Sequence, residues 1–260
     1  MMKLLLAPFA KGNLEHAEGL QKGPEAIVKQ LEKLSLNEQG RLPVFDFVHV
    51  NIDQNNITQS HQHIFDAVKE AKENFILLGG DHSVTHPAVK AFTTQHKAGM
   101  VIFDAHPDLM HEFTPPTYEN YLRTIIEDCL ISKDNIILVG LHRWDKEELS
   151  YIRKLGIKHF SMKEITREGL SHVMDGVMEV ARQWPALYLS IDIDAVDPAY
   201  TPGTGHAEPG GLTARELLYA LQRMKMLKNL KGIDLVEVNP DLDKRGMTVA
   251  LAAKIVAELA

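Results

Sequence analysis

Cysteine is almost absent from this sequence, which contains one, Cys129, among 260 residues. A single cysteine excludes an internal disulfide and a metal site built from several thiolates. We predict that Cys129 is a small buried residue of a helix, because free cysteines usually behave as small hydrophobic residues. The chemistry of the protein must therefore depend on other side chains.

Positive charge is also scarce, since 28 lysines and arginines stand against 35 aspartates and glutamates. The resulting formal net charge of -7 repels phosphate backbones and anionic lipid surfaces. We therefore expect neither a nucleic acid nor a membrane as a partner.

Long hydrophobic runs are missing as well. The apolar stretch within residues 1–10 is too short for a membrane span, and no small-residue cleavage site follows a basic segment. Repeats, low-complexity tracts and Gly/Ser linkers are absent, which favours a single domain over residues 1–260. We expect a cytoplasmic protein with one substantial core.

The sequence does contain short runs rich in Val, Ile, Leu and Phe that alternate with segments of helical periodicity. We predict strands at 3–9, 44–50, 74–78, 99–104, 135–141, 158–161, 187–192 and 232–238. We predict helices at 23–36, 57–73, 117–130, 163–182, 213–226 and 244–259. This alternation indicates an α/β fold with a parallel sheet of about eight strands and helices on both faces. In such sheets the ligand site lies beyond the carboxyl ends of the strands.

The first polar cluster at a predicted strand end is Asp104-Ala105-His106-Pro107-Asp108. If the backbone stays extended, Asp104, His106 and Asp108 project to the same side. The cluster therefore offers three potential metal ligands, although a polar loop with a capping aspartate is the alternative.

A second cluster, which contains Asp192, Asp194 and Asp197, follows the strand 187–192. We expect Asp192 and Asp194 to share a face, and two like charges so close are costly unless a cation lies between them. We interpret Asp197, which precedes Pro198, as a turn residue.

A third cluster, Gly79-Gly80-Asp81-His82-Ser83, follows the strand 74–78. The two glycines allow a tight turn that brings His82 to the same edge of the sheet. We expect Asp81 to orient a metal-binding imidazole by accepting its distal N–H.

The charge of these clusters indicates what they bind. Four aspartates carry four negative charges, which two divalent cations neutralise, and two neutral histidines complete the ligand sets. Mixed carboxylate and imidazole ligation suits manganese better than magnesium or zinc. We therefore predict a binuclear site that holds two Mn2+ ions and lowers the pKa of a bound water.

One more carboxylate, Glu237, stands near the end of the predicted strand 232–238. It is a candidate bidentate partner for a planar cation, and a solvated strand-end charge is the alternative.

Several segments, in this order and spacing, resemble the ureohydrolase superfamily, which includes arginase, agmatinase, guanidinobutyrase and formimidoylglutamase. These segments are GGDHS from Gly79, DAHPD from Asp104, SIDIDAVDPAYTPGTG from Ser190, GGLTARE from Gly210 and DLVEVNP from Asp234. A looser match, Gly19 to Ile27, lies near the start of the chain.

The resemblance implies a three-layer α/β/α fold and a dimanganese centre at the carboxyl edge of the sheet. One ion would take His82, Asp104, Asp108 and Asp192. The other would take His106, Asp104, Asp192 and Asp194. Asp104 and Asp192 would then bridge the two ions, and Glu237 would orient the guanidinium of a small cationic substrate. Relatives of this kind commonly form trimers or hexamers, so we expect a homo-oligomer.

The chain departs from the family in the loop after the DAHPD segment. Relatives usually carry a histidine there that shuttles protons to the leaving amine, and Tyr118 stands at that place here. An unperturbed tyrosine pKa near 10 makes Tyr118 a poorer shuttle at neutral pH. His111 is a candidate substitute, although we expect both His111 and His206 to face solvent.

The segment 140–148 resembles, loosely, the arginase loop whose acidic residues hold the α-amino group of the substrate. Asp145 is the corresponding substrate-binding candidate, and His142 stands where relatives often have arginine.

The leading interpretation is a manganese-dependent hydrolase of a linear guanidino or amidine compound, which releases urea and an amine. The alternative is a catalytically impaired relative that acts as a metal-binding regulator, for which Tyr118 is the supporting feature. A metal-dependent deacylase is a third possibility with little support from the doubled aspartates.

Overall fold

The computed structural model describes residues 2–15, 17–111 and 113–260. These residues form one sheet of eight strands, all parallel, in the order β2-β1-β3-β8-β7-β4-β5-β6. The strands are β1 (Met2–Ala7), β2 (Phe45–His49), β3 (Phe75–Gly79), β4 (Ala98–Phe103), β5 (Ile136–Leu141), β6 (Lys158–Ser161), β7 (Ala186–Asp192) and β8 (Leu230–Val236).

Nine α-helices lie within the same described ranges. They are α1 (Gly23–Leu31), α2 (Ile57–Ala71), α3 (Thr85–Thr93), α4 (Tyr121–Glu127), α5 (Lys146–Leu155), α6 (Met162–Glu168), α7 (Leu170–Ala181), α8 (Ala214–Lys225) and α9 (Met247–Leu259). None of these helices has the length and apolar character needed to cross a membrane.

Side-chain alternation along the strands divides the core into two layers. Leu4 and Val101 pack with α1 and α6 to α9 on one face of the sheet. Leu5 and Met100 pack with α2 to α5 on the other face. Because successive strand residues point to opposite faces, apolar runs are required where both faces are buried. The expected three-layer α/β/α fold with a parallel sheet of eight strands is confirmed.

Two helices, α3 and α5, are absent from the sequence-based prediction. Seven of the nine residues of α3 are buried, so the segment lacks the polar face that reveals a surface helix. Helix α5 is rich in charge and begins at the capping residue Asp145, whose backbone N–H donates to Glu148. Its buried residues are Glu148 and Ile152, so few apolar positions mark this helix in the sequence.

Other helix boundaries differ because glycine ends or begins the element. The predicted helix 163–182 is two helices, since Gly169 has a φ of 85° and its N–H bonds to Ile165. Gly246, with a φ of 69°, begins α9 later than predicted. Both angles lie in the left-handed region that glycine tolerates.

The interpretation of Cys129 as a buried helix residue is wrong. Cys129 is exposed and follows the end of α4 with a φ of 55°. Its N–H donates to Ile126, so this residue belongs to the turn that leaves the helix.

Gly99 and Gly176 provide a matched test of the sheet packing. A Cβ at Gly99 in β4 would overlap the indole of the buried Trp184, whereas a Cβ at Gly176 on the exposed side of α7 meets no atom within 4 Å. Gly99→Ala is expected to lower the free energy of unfolding by about 1–3 kcal/mol through overpacking. Gly176→Ala is expected to raise it by about 0.5–1 kcal/mol, because alanine favours helix. Urea denaturation of both variants measures these changes, and equal stabilities would contradict the packing at Gly99.

Candidate metal centre and active site

The candidate site lies at the carboxyl ends of four neighbouring strands, β3, β8, β7 and β4. Phe103 pairs with Ile191, and Asp192 pairs with Val236. This register brings Asp104, Asp192 and Glu237, which end or follow these strands, to one edge of the sheet. His82 reaches the same edge from the turn that follows β3.

The imidazole of His82 lies in a ring of carboxylates. Its Nδ1 atom is 3.2 Å from Asp104 Oδ2, 3.1 Å from Asp108 Oδ2 and 3.2 Å from Asp192 Oδ2. The His82 side chain is 1% exposed. Among the described residues, neither His82 Nδ1 nor Asp104 Oδ2 has a hydrogen-bond partner. Four polar atoms therefore converge on one buried point without satisfying one another.

A buried hydrogen-bond chain holds the other side of this imidazole. His82 Nε2 lies 2.9 Å from Ser190 Oγ, which donates to Asp234 Oδ1 at 2.6 Å. The second oxygen of Asp234 accepts from Tyr188 and Thr85. Because the Ser190 hydroxyl donates to Asp234, its oxygen accepts a hydrogen bond from the N–H at His82 Nε2. Nδ1 is therefore the ring nitrogen that faces the carboxylates, as in a histidine that binds a metal through this atom.

The second imidazole, His106, lies beside a different aspartate. Its Nδ1 atom is 3.0 Å from Asp194 Oδ2 and 3.7 Å from Asp104 Oδ1. Asp104 therefore lies between the two histidines and directs one oxygen toward each. This position is the one that a bridging ligand requires.

The backbone does not reach this arrangement by staying extended, as the sequence analysis assumed. Strand β4 ends at Phe103, and Asp108 has a φ of 53°, so a turn rather than a strand brings the three side chains of the first cluster together. Asp194 belongs to a 3-10 turn, and its N–H donates to Asp192 Oδ1 at 2.8 Å. These turns, rather than the alternation of an extended strand, bring the side chains together.

Burial and mutual repulsion shift the pKa values of the cluster. The pKa of Asp192 is raised well above its usual value by burial and by the charges of Asp194 and Asp104. Burial and the Asp104 charge also raise the pKa of Asp108. Burial lowers the pKa of His106, but the charges of Asp194 and Asp104 outweigh it and raise this pKa to about 12. The cluster therefore favours a positive charge at its centre.

Glu237 has one oxygen fixed and one available. Its Oε1 accepts from the backbone N–H of His82 at 2.8 Å, and its Oε2 has no hydrogen-bond partner among the described residues. The residue is 2% exposed, and burial and the Asp81 charge raise its pKa well above the usual value. Glu237 also has a φ of 62°, which is unfavourable for a residue with a Cβ. Because this angle is not compatible with a strand, β8 ends before Glu237. A buried carboxylate oxygen without a partner is a strong acceptor for a cation.

A cavity of about 240 Å³ opens over this cluster. Four of the predicted metal ligands line this cavity, namely His106, Asp108, Asp192 and Asp194. The other two, His82 and Asp104, are buried beneath its surface. Glu237, Tyr118 and Asp145 also line the cavity. His111 does not, because its side chain is 75% exposed and pairs with Glu147 at 2.8 Å.

The charged or titratable residues of this cavity that were not assigned to the site from the sequence include three from loops, His206, Arg143 and Glu208. The expectation that His206 faces solvent is wrong, since its ring stacks on Tyr118 with centroids 5.1 Å apart. It also lies edge-on to His106 at 5.8 Å. These residues come from loops, where no strand or helix period marks a side chain as facing the site.

Asp81 does not orient an imidazole, and that expectation is wrong. Its carboxylate accepts from the N–H groups of Gly12 and Asn13 at 2.7 and 2.9 Å, and from Ser83. Gly12 in turn accepts from the N–H of Tyr118. Asp81 therefore holds the segment after β1 against the site, while Ser190 takes the role that was expected of Asp81.

Asp197 is a turn residue, as expected. Its carboxylate accepts from the N–H groups of Ala199 and Gly210 at 2.8 Å each, which closes the loop that carries His206.

A larger cavity, of about 520 Å³, is separate from the cluster and contains none of the predicted site residues. Loop 113–116 forms part of its wall, opposite the buried rings of His61 and His86. Burial and the charge of His86 lower the pKa of His61 to about 4, so this ring is neutral near pH 7.

Two groups of described side chains have ligand atoms close enough to hold a metal ion. They are His82, Asp104, Asp108 and Asp104, His106, Asp194. Asp104 belongs to both groups. The fold and the site together define a parallel α/β protein with a carboxylate and imidazole centre.

Comparison with known sequences identifies the family. The sequence profile of the arginase family matches residues 2–260, and the chain belongs to this family.

Three relatives illustrate the extent of the similarity. Proclavaminate amidinohydrolase of Streptomyces clavuligerus is 34% identical over 257 residues, which cover 96% of this chain and 78% of the relative. Formimidoylglutamase of Halalkalibacterium halodurans is 29% identical over 269 residues, which cover 97% and 84%. The crystal structure of formimidoylglutamase from Bacillus subtilis superposes with a TM-score of 0.93 at 26% identity, covering 100% of this chain and 86% of that one.

Proposed function

We propose that this chain is a hydrolase of a linear guanidino or related amidine group and that it works with two manganese ions. The observation that carries the proposal is the unpartnered Oε2 of Glu237, which lies in the same cavity as the carboxylate and imidazole cluster. A cation acceptor and a metal-binding cluster in one cavity suit a cationic substrate attacked by activated water. The names of the relatives, an amidinohydrolase and a formimidoylglutamase, agree with this chemistry.

The donor set fits two divalent cations. Nδ1 of His82 and Oδ2 of Asp104 lack hydrogen-bond partners, as atoms reserved for a metal do. We assign His82, Asp104, Asp108 and Asp192 to one ion. We assign His106, Asp104, Asp192 and Asp194 to the other. Mixed oxygen and nitrogen ligation favours manganese. When bound, such a pair supplies a water of lowered pKa as the nucleophile.

Glu237 binds and orients the substrate cation. Because the N–H of His82 fixes Oε1, Oε2 is held at the cavity surface and accepts an N–H of the guanidinium or formimidoyl group. A cation also offsets the cost of ionising this buried carboxyl. The substrate carbon is thereby positioned next to the cluster, which is the main catalytic contribution of such a contact.

His206 is the residue that we assign to proton transfer. Tyr118 donates its hydroxyl to Glu119 at 3.0 Å, and burial followed by the Glu119 charge raises its pKa far above the usual value. Tyr118 is therefore a poor acid, and we assign it to positioning the stacked His206 ring. An imidazole gives and accepts protons near neutral pH, so His206 delivers a proton to the leaving nitrogen. His111 lies outside the cavity.

Asp145, at the cavity wall and at the start of α5, remains our candidate for binding the α-amino group of a substrate that carries one. No observation on the described residues favours a catalytically impaired regulator.

We further propose a single domain, because one sheet contains both β1 and β8 and because α9 packs with α1 on the same core. The resemblance alone supports a cytoplasmic trimer or hexamer.

The first prediction concerns metal content. Protein reconstituted with manganese and dialysed is expected to retain about two ions per chain. Asp104→Asn should lose both ions because Asp104 belongs to both ligand groups, whereas Asp194→Asn should lose mainly one. Elemental analysis measures the stoichiometry, with the exposed Asp66→Asn as the control. A stoichiometry below one in the wild type, or a full complement in Asp104→Asn, would refute the binuclear centre.

The second prediction tests Glu237. In Glu237→Gln the amide oxygen can still accept from His82, so the metal content should be unchanged. The loss of the charge facing the substrate should lower kcat/KM for a guanidino substrate at least about tenfold. Urea or ammonia release from manganese-loaded protein measures this, with Glu70→Gln on the exposed side of α2 as the control. Unchanged kinetics would exclude Glu237 from the substrate site.

The third prediction distinguishes His206 from His111 as the residue that transfers the proton. His206→Ala is expected to lower kcat at least about tenfold with little change in metal content, because the leaving nitrogen loses its proton donor. Steady-state rates and elemental analysis measure this, and His172→Ala, on the exposed side of α7, is the control. A loss of this size in His111→Ala instead would move the proton transfer to His111.

A further inference from the structure

An ion pair lies at the rim of the 240 Å³ cavity, where Arg143 Nε is 3.5 Å from Glu208 Oε1. We propose that Arg143 selects substrates whose tail, at the end opposite the amidine group, carries a carboxylate. This inference rests on the proposed function, and it names the substrate class within it.

The backbone fixes Arg143 close to the catalytic cluster. The N–H groups of His142 and Arg143 both donate to the carbonyl of Ala105 at 3.0 Å. Ala105 lies between Asp104 and His106, so the loop after β5 is tied directly to the segment that carries the cluster. His142 is held further by contacts of its two ring nitrogens with the carbonyls of Gly140 and Glu208. The backbone at Arg143 is therefore fixed, and the side chain extends from it to Glu208.

Arg143 is the one lysine or arginine that lines this cavity within the described ranges. A guanidinium binds a carboxylate through two parallel N–H bonds, and lysine cannot reproduce this geometry. A substrate whose guanidinium lies against Glu237 would place its tail toward the rim. The buried Glu237 and the exposed Arg143 guanidinium then offer opposite charges within one cavity, and they match a substrate with a cationic head and an anionic tail.

The present partner of Arg143 can be exchanged for a substrate. The side chains of Arg143 and Glu208 are 57% and 32% exposed, and ion pairs of this exposure contribute little stability. Glu208 Oε1 is also 3.8 Å from His106 Nε2, so Glu208 keeps a neighbour when Arg143 turns to a substrate carboxylate.

Two of the other acids that line the cavity are engaged by the protein. Glu119 accepts the hydroxyl of Tyr118 at 3.0 Å, and Glu148 accepts the N–H groups of Leu109 and Asp145. These carboxylates therefore offer less to the ammonium group of an amine-ended substrate than their number suggests.

The test compares two substrates that share a guanidinium but differ in the tail, 4-guanidinobutyrate with a carboxylate and agmatine with an ammonium. The wild type, loaded with manganese, is expected to show a kcat/KM at least about tenfold higher for 4-guanidinobutyrate. Arg143→Gln should lower this ratio by about tenfold, mainly through KM, and Arg143→Lys should recover part of it. Arg143→Glu should invert the preference. Arg167→Gln, which removes an exposed arginine on α6, is the control that keeps the ratio.

A wild-type preference for agmatine, or an unchanged ratio in Arg143→Gln with wild-type metal content, would overturn the role of Arg143 and leave the proposed function standing. If neither these compounds nor other amidines are hydrolysed, the proposed function fails instead. Calorimetric titration of the manganese-loaded protein then decides the inference by itself. Tighter binding of 4-guanidinobutyrate than of agmatine, lost in Arg143→Gln, supports it, and equal affinities overturn it.

Discussion

The convergence of three aspartate carboxylates on Nδ1 of His82 is the contact on which the rest of the site depends. Like charges in a buried place are costly, so this arrangement persists only where positive charge compensates them. The strand order brings the carboxylates together, and the chain from Ser190 to Asp234 fixes the imidazole from behind. The sheet register and the hydrogen bonds therefore both hold the carboxylates and the imidazole at one point, where a positive charge is needed.

The strands and the polar clusters at their ends were predictable because both follow from the parallel sheet. A strand buried on both faces must be apolar throughout, which makes each one visible as a short hydrophobic run. The carboxyl ends of neighbouring strands share an edge, so acidic residues that follow such runs must meet. His82, Asp104 and Asp192 could be brought together by this reasoning, and the family resemblance supplied the pairing of ligands with ions.

What could not be predicted lies in turns and loops, or in helices that lack an amphipathic period. His206 and Arg143 reach the cavity through loops whose paths depend on hydrogen bonds between distant segments, such as those that Asp197 and Ala105 accept. Asp81 was misassigned because its partners, Gly12 and Asn13, are backbone groups about 70 positions away that no pattern identifies. Helix α3 was missed because it is buried almost all round.

The left-handed backbone of Glu237 has a consequence for how this protein can be altered. A residue with a Cβ in that region costs about 1–3 kcal/mol, which glycine does not incur. The chain therefore retains strain at the position of its unpartnered carboxylate. Selection of variants for heat resistance alone would favour glycine at this position and discard the cation acceptor. At Glu237 the side chain that binds the cation thus lowers the stability of the fold. A more heat-resistant form of this protein has to gain its stability at other positions.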